Sequence, residues 1–501
     1  MGCDWAMPAT LYRDGALADG LSAELQVGIS ILVLDDRIAW IRRSSDEGDL
    51  AGLGDLRVID ASGSTFVPGM VDCHSHLTLP GGAHWIDRIG DPPGVLLDVA
   101  ERNARLQRQA GVRWARDVGA PRAIDPVDGR ERALSLGVRD RWRGKAGYPY
   151  VRAAGTWLDR KGTLAIEGLV EAENADELLA NARGQLDDGA DFLKLYLDGP
   201  EPAVSPWTVS ELRPVIEMAH SRGARVTAHS GYLAGARVGV EAAVDSIEHG
   251  MELDADVCRS MAEQGITLVS TLAIFRSWRS FGTTTRIPRF VEPDGARRVA
   301  DRQARAEESV RLAYRAGVSI ATGTDFGGGS TRANQLAWEV ESLVEAGLEP
   351  WEALAAATWR GGALLGEPDA GEIRDGGRGR LRPGPRRPTQ RPDCVVAGLA
   401  RRLAGLRALT SAATELDVHV FRCSRTADPP TPPPDRRPIA ARSPSGRGPV
   451  FDTTGWSPSS MASTGSPAPT SGPEGLLPRT LTPSCSTTSK GCAARTRKAD
   501  R

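Results

Sequence analysis

Between Phe66 and Gly366 the chain repeats one rhythm eight times: a short apolar run, then a stretch with helical spacing. The runs are Phe66–Asp72, Val112–Val118, Tyr148–Ala154, Asp191–Leu197, Arg225–His229, Val244–His249, Ile266–Ser270 and Val318–Asp325. A near-continuous apolar run suits a strand buried on both faces, and joining parallel strands takes a crossover, usually a helix. Ala175–Leu186, Val209–Arg222, Ala296–Ala316 and Gln335–Ala346 have the apolar spacing of such helices. Gly111, Gly189, Gly223 and Gly317 each stand just before a run, where a helix C-cap turns left-handed. Eight alternating units in about three hundred residues predict an α/β chain closing into a (β/α)8 barrel rather than an open sheet. Chemistry then belongs at the carboxyl ends of the strands.

The rest of the chain reads differently. Residues 1–65 predict a small β-domain, with Ile31–Leu34 and Ile38–Ile41 as a hairpin around Asp35-Asp36-Arg37. The chain carries 62 Lys+Arg against 64 Asp+Glu, but from Arg378 onward 21 basic residues face 8 acidic ones. That same segment holds 18 of the 34 prolines, so two compositions are joined end to end. The seven cysteines are odd in number and lack Cys-x-x-Cys spacing, which argues against a disulfide framework or zinc ribbon. The opening Met1-Gly-Cys-Asp-Trp-Ala lacks a basic start and an apolar core, and no run is long enough to span a bilayer. The expectation is a cytoplasmic protein that binds no membrane.

Polar residues gather at the predicted strand ends. His74 and His76 follow the first run, and residues two apart on a strand share a face. Such a pair suits a metal ion, or simply two hydrogen-bonded imidazoles. Lys194 lies inside the fourth run, His229 ends the fifth, His249 the sixth and Asp325 the eighth. Imidazole and carboxylate are good ligands for zinc and similar ions, whereas an ammonium is not a ligand. His84, His220 and His419 fall in a loop, a helix and the tail, and read as bystanders.

This ordered set, with Pro68-Gly-Met-Val-Asp-Cys-His-Ser-His76, resembles the amidohydrolase superfamily of metal-dependent hydrolases. Gly111–Gly119, Gly189–Gly199 and Ser246-Ile-Glu-His-Gly250 look like its imidazolonepropionase- and prolidase-like branch, and the resemblance runs from Leu11 to Gly384. It implies two divalent ions, zinc being the expected metal, at the mouth of the barrel. His74, His76 and Asp325 would bind the buried ion and His229 and His249 the outer one. Lys194, carboxylated by carbon dioxide, would bridge them; a plain ion-pairing lysine is the alternative. A shared hydroxide would attack the substrate carbonyl while Asp325 moves the proton to the leaving nitrogen. The implied activity is cleavage of a C–N bond in a small-molecule amide, cyclic amide or dipeptide. Carbamates, lactones and phosphotriesters yield to the same chemistry, so barrel architecture does not choose among them.

Many relatives carry a His in the loop after the third strand. Here that loop is Gly155-Thr-Trp-Leu-Asp-Arg-Lys-Gly162, which leaves Tyr196 and Tyr232 as candidate substrate-binding residues, or as wall packing. The Arg-rich stretch Phe275–Arg302 reads as a lid that binds an acidic group, or as a solvated charged face. Relatives also return to the amino-terminal β-domain after the barrel. Residues 367–384 begin that return, ending in the Gly379-Arg-Leu-Arg-Pro-Gly384 turn. An Ala-Asp-Leu-Val-Val-like strand should follow, but residues 385–501 are Pro/Arg/Ser-rich and read as a disordered tail. Arg387-Pro-Thr389, spelled CGG-CCG-ACC and read from the third base, gives the missing Ala-Asp, so a frameshift near Gly384 is one reading. On that reading an inactive product with a damaged β-domain is the alternative to an enzyme. A basic arm for nucleic acid is the competing explanation, but its arginines lack interleaved aromatics, so no nucleic-acid partner is expected. A homo-oligomer is compatible with all of this.

Overall fold

The computed structural model describes residues 9–35, 37–164, 169–367 and 370–377. The tail beyond Gly377, and with it the suspected frameshift, lies outside them. Five strands open the chain: β1 (Ala9–Leu17), β2 (Gln26–Leu34), β3 (Arg37–Arg43), β4 (Leu56–Asp60) and β5 (Thr65–Phe66). They form one sheet in the order β3-β2-β1-β4, with β5 also on β1. The hairpin expected at Asp35 joins β2 to β3 in antiparallel register, Leu34 facing Arg37. Leu17, Ile29, Ile31, Val33 and Ile38 form the small core of this sheet. The chain comes back to it: Gly376 N donates to Ile38 O (2.9 Å), Ile38 N to Gly377 O (3.1 Å), and Ile373 packs on that core.

Phe66 does not open the first strand of the larger unit. It pairs with Leu17 in the small sheet. Pro68 and Gly69 then interrupt the apolar run, since proline has no N–H to give a ladder. The strand starts three residues beyond Val67, as β6 (Met70–Ser75). It is followed by β7 (Val112–Asp117), the short hairpin strands β8 (Arg122–Ile124) and β9 (Glu131–Ala133), β10 (Tyr150–Ala153), and the paired β11 (Leu158–Arg160) and β12 (Val170–Ala172). The remaining strands are β13 (Phe192–Tyr196), β14 (Arg225–Ser230), β15 (Ser246–His249), β16 (Thr267–Ser270) and β17 (Ile320–Thr322).

All neighbours in β10-β7-β6 and in β12-β11-β13-β14-β15-β16-β17 run parallel. Helices cross over between them, as an α/β chain requires. Their ends follow local chemistry. Thr208 and Glu211 form a capping box that starts helix Val209–Ser221, and Gly317, at φ +81°, ends helix Pro293–Ala316. The two parallel sheets meet along two lines. Asp325 N donates to His74 O (2.8 Å), His76 N to Phe326 O (3.0 Å) and Thr322 Oγ1 to Val71 O (3.2 Å), tying the β17 end to β6. On the other side Asp191 N, just before β13, donates to Ala153 O of β10 (2.8 Å). Among the described residues no helix is long and apolar enough to cross a membrane.

Candidate metal centre

The carboxyl ends of β6, β13, β14 and β15 and the turn after β17 bring the predicted residues together. His74, His76, Lys194, Tyr196, His229, His249 and Asp325 line one cavity of about 130 Å³. The shared face expected for His74 and His76 is observed: both Nε2 atoms approach Asp325 Oδ1, at 3.4 and 3.3 Å. His74, His76 and Asp325 each offer a ligand atom within 4.8 Å of the other two, and all three are buried. The His249 ring centroid lies 4.5 Å from that of His74 and 4.5 Å from that of His229, so the four imidazoles form one chain. Tyr196 stacks on His229 at 3.9 Å, nearly parallel. Tyr232 stands apart: it begins helix Leu233–Glu241 as its N-cap, and its ring faces the Arg302 guanidinium at 5.3 Å rather than the cavity.

Each imidazole is oriented through one ring nitrogen. His74 Nδ1 donates to Glu248 Oε2 (2.6 Å) and His76 Nδ1 to Gly119 O (2.8 Å). His229 Nε2 donates to Asp198 Oδ2 (3.1 Å), and His249 Nδ1 shares a hydrogen bond with Thr271 Oγ1 (2.8 Å). Such partners fix tautomer and ring angle in metal sites. Glu248 is itself held by Arg116 Nη2 (2.5 Å) and by the Thr227 hydroxyl, so an ion pair is buried directly beneath His74. Burial opposes the charge on Glu248, but Arg116 and His74 outweigh it and hold the carboxyl well below its ordinary range. Burial likewise opposes ionisation of Asp325, and the attraction of His74 and hydrogen bonds to His74 and His76 overcome it, leaving a carboxylate. Burial pushes the His229 and His249 imidazoles down, so both are neutral, the form that coordinates metal.

Lys194 is 1 % exposed and its Nζ has no hydrogen-bond partner among the described residues. Burial pushes its ammonium down to about 8, against the pull of Glu248 and Asp325. An amine brought near neutrality in this way is a nucleophile for carbon dioxide.

Arg116, Glu248, Asp198 and Thr271 belong to the site, and the reading of strand ends did not single them out. For Arg116 and Glu248 the signal was there: each is a charge inside an apolar run, as Lys194 is. The Arg-rich stretch after β16 is largely helical, over Ala273–Thr284, Pro288–Val291 and Pro293–Ala316. Arg276 pairs with Glu341 and Glu345 (2.6 Å each), whereas Arg289 lines the cavity.

These residues fall within the amidohydrolase family's sequence profile, which matches residues 65–379, more than half of the 501. The chain belongs to the amidohydrolase family and is a hydrolase acting on carbon–nitrogen bonds. An uncharacterised protein of Mycobacterium tuberculosis is 31 % identical, over 61 % of this chain and 76 % of that protein. Ochratoxinase of Aspergillus niger is 28 % identical over 62 % and 68 %, and imidazolonepropionase of Salinispora tropica is 26 % identical over 70 % and 84 %. The crystal structure of a Xaa-Pro dipeptidase with bound methionine shares the fold, with a TM-score of 0.60 at 24 % identity over 74 % of this chain and 92 % of that one.

Proposed function

We propose that the eight parallel strands β6, β7, β10 and β13–β17 close into a barrel whose carboxyl-terminal rim holds divalent metal, and that the chain hydrolyses an amide-type bond there. One observation carries the metal assignment. The Nδ1 atoms of His74 and His76 are engaged by Glu248 and Gly119, and their Nε2 atoms converge on the Asp325 carboxylate at 3.3–3.4 Å. Two imidazole nitrogens and a carboxylate oxygen converging in a buried cavity suit a cation among them. Imidazole nitrogens and a carboxylate are the donor set of zinc and its neighbours. His74, His76 and Asp325 would hold one ion, and His229 and His249 a second. The unpartnered, buried Nζ fits Lys194 as the bridging ligand once carboxylated.

Bound divalent ions would polarise the substrate carbonyl and acidify a water molecule. The protein's own groups do the rest. Glu248, anchored by Arg116, holds the His74 ring and its tautomer; Asp198 does the same for His229. The Asp325 carboxylate is ionised and lines the cavity, and would take a proton from water and hand it to the leaving nitrogen. Relatives bearing the names ochratoxinase and imidazolonepropionase support an enzyme working on small molecules. Elemental analysis of protein purified with bicarbonate, alongside hydrolysis of a panel of amides, cyclic amides and dipeptides, tests this. Two ions per chain and amide turnover are expected, with the second ion lost in Lys194→Ala. Protein that keeps no metal at micromolar supply would overturn the reading.

A further inference from the structure

The loop after β10 has no His and carries an indole instead. Trp157 of this loop is 8 % exposed and its ring centroid lies 5.3 Å from that of His76. It is locked from beneath: Gly119, at φ +153°, lies so close that a Cβ there would come within 2.5 Å of the indole. A closely packed aromatic plane therefore stands beside the predicted ligands. Two further indoles complete the enclosure. Trp85 follows β6, and Trp278 projects from helix Ala273–Thr284, edge-on to Phe275 at 5.4 Å.

The cavity is thus divided. Its floor is the imidazoles, Lys194 and Asp325; its walls are Trp85, Trp157 and Trp278, filled in by Leu164, Leu169 and Ile274. Tyr196, whose ring stacks on His229, belongs to the floor, and Arg289, whose guanidinium lies 4.7 Å from the Phe290 ring, is the charged exception in the wall among the described residues. A substrate whose scissile amide rests on the floor must place its substituent against indole faces. Away from Arg289, charged or strongly hydrated substituents would lose water without regaining hydrogen bonds, whereas flat apolar ones gain contact with indole faces.

We infer that the substrates are amides carrying a flat aromatic substituent next to the scissile carbonyl or nitrogen, selected by Trp85, Trp157 and Trp278. This deepens the hydrolase reading and rests on it for the position of the scissile bond.

Equilibrium binding separates the two. Calorimetry on the full chain loaded with zinc would compare naphthalene-2-carboxamide, benzamide, acetamide and succinamate. The expected order is naphthalene-2-carboxamide tightest, at least tenfold tighter than acetamide, with succinamate weakest. Trp157→Ala and Trp278→Ala should each weaken the naphthyl ligand at least tenfold, while Trp157→Phe, which keeps an aromatic face, stays within about threefold of wild type. Circular dichroism and metal content of each variant show that fold and floor persist. Equal affinity for acetamide and naphthalene-2-carboxamide, or unchanged affinity in folded alanine variants, would overturn the inference. Hydrolysis of N-(2-naphthoyl)glycine and N-acetylglycine is then measured separately. Aromatic preference in binding without turnover of either would sink the hydrolase reading alone; equal turnover of both would sink the aromatic selection alone.

Discussion

His249 and Asp325 hold φ of +69° and +51°, a region that side chains other than glycine seldom occupy. Strand alternation would send Glu248 and His249 to opposite faces. The left-handed turn at His249 lets Glu248 reach His74 from below while the His249 ring lies tilted beside it. At Asp325 the same conformation swings the carboxylate back over β6, and Gly329 makes room for it. A Cβ on Gly329 would come 2.0 Å from Asp325 Oδ2. Gly329→Ala should therefore displace the carboxylate and lower metal occupancy and turnover by at least tenfold, while leaving the circular dichroism spectrum intact; unaltered metal content would contradict this. Lys194 supplies a prediction in pH. Its folded pKa of about 8 lies below the ordinary 10.5, so between those values the unfolded chain binds a proton that the fold refuses. Stability of protein freed of metal and bicarbonate must rise with pH across that window and fall again as pH is lowered through it, with no further change from this group below about 8. The rise should be on the order of 3 kcal/mol, and the Lys194→Met variant should lack it in urea titrations at matched pH.

At the scale of elements, the Arg116–Glu248 pair joins β7 to β15 through the interior and also reaches Thr227 of β14. Removing one partner leaves the other charge buried. Arg116→Met should cost about 3–5 kcal/mol in urea unfolding, and the double variant Arg116→Met/Glu248→Met should recover part of it. A double variant no more stable than the single one would mean the pair is not coupled. These strands also show how far the sequence reaches. Apolar runs located β6, β7, β10 and β13–β17, because burial on both faces writes itself as continuous hydrophobicity, but not the short parallel strands β11 and β12. The ligand candidates stood out because polar groups at the ends of such runs have no packing reason to be there. What escaped were interactions made across space. That Phe66 pairs with Leu17 depends on a partner some fifty residues earlier, and the partnership of Arg116 with Glu248 depends on which strands neighbour each other inside the fold. Tyr232 misled for a related reason: proximity in sequence to His229 does not carry over when the chain turns into a helix at that residue.

For the whole molecule, the proposed ligands lie on both sides of the line where the two parallel sheets meet. His74 lies in β6 of the three-stranded sheet and His76 just after it; Lys194, His229 and His249 belong to the seven-stranded one, and Asp325 follows its last strand. Few backbone hydrogen bonds cross there, with Asp72 reinforcing them by accepting from Thr324 N (3.0 Å) and Thr324 Oγ1 (2.7 Å). A cation held by His74, His76 and Asp325 would therefore act as a clasp between sheets as well as a reagent. Ligands that bind only the folded state stabilise it by mass action, about 4 kcal/mol at a thousandfold excess over the dissociation constant. Chelation should lower the melting temperature by several degrees, and zinc should restore it. Hydrogen exchange should locate the loosening at Asp325 and His76, whose amides cross from one sheet to the other, before it reaches the Gly376–Ile38 contact in the small sheet. Uniform loosening would mean the metal stabilises the fold without clasping that line, and an unchanged melting temperature would mean that no ion is held there at all.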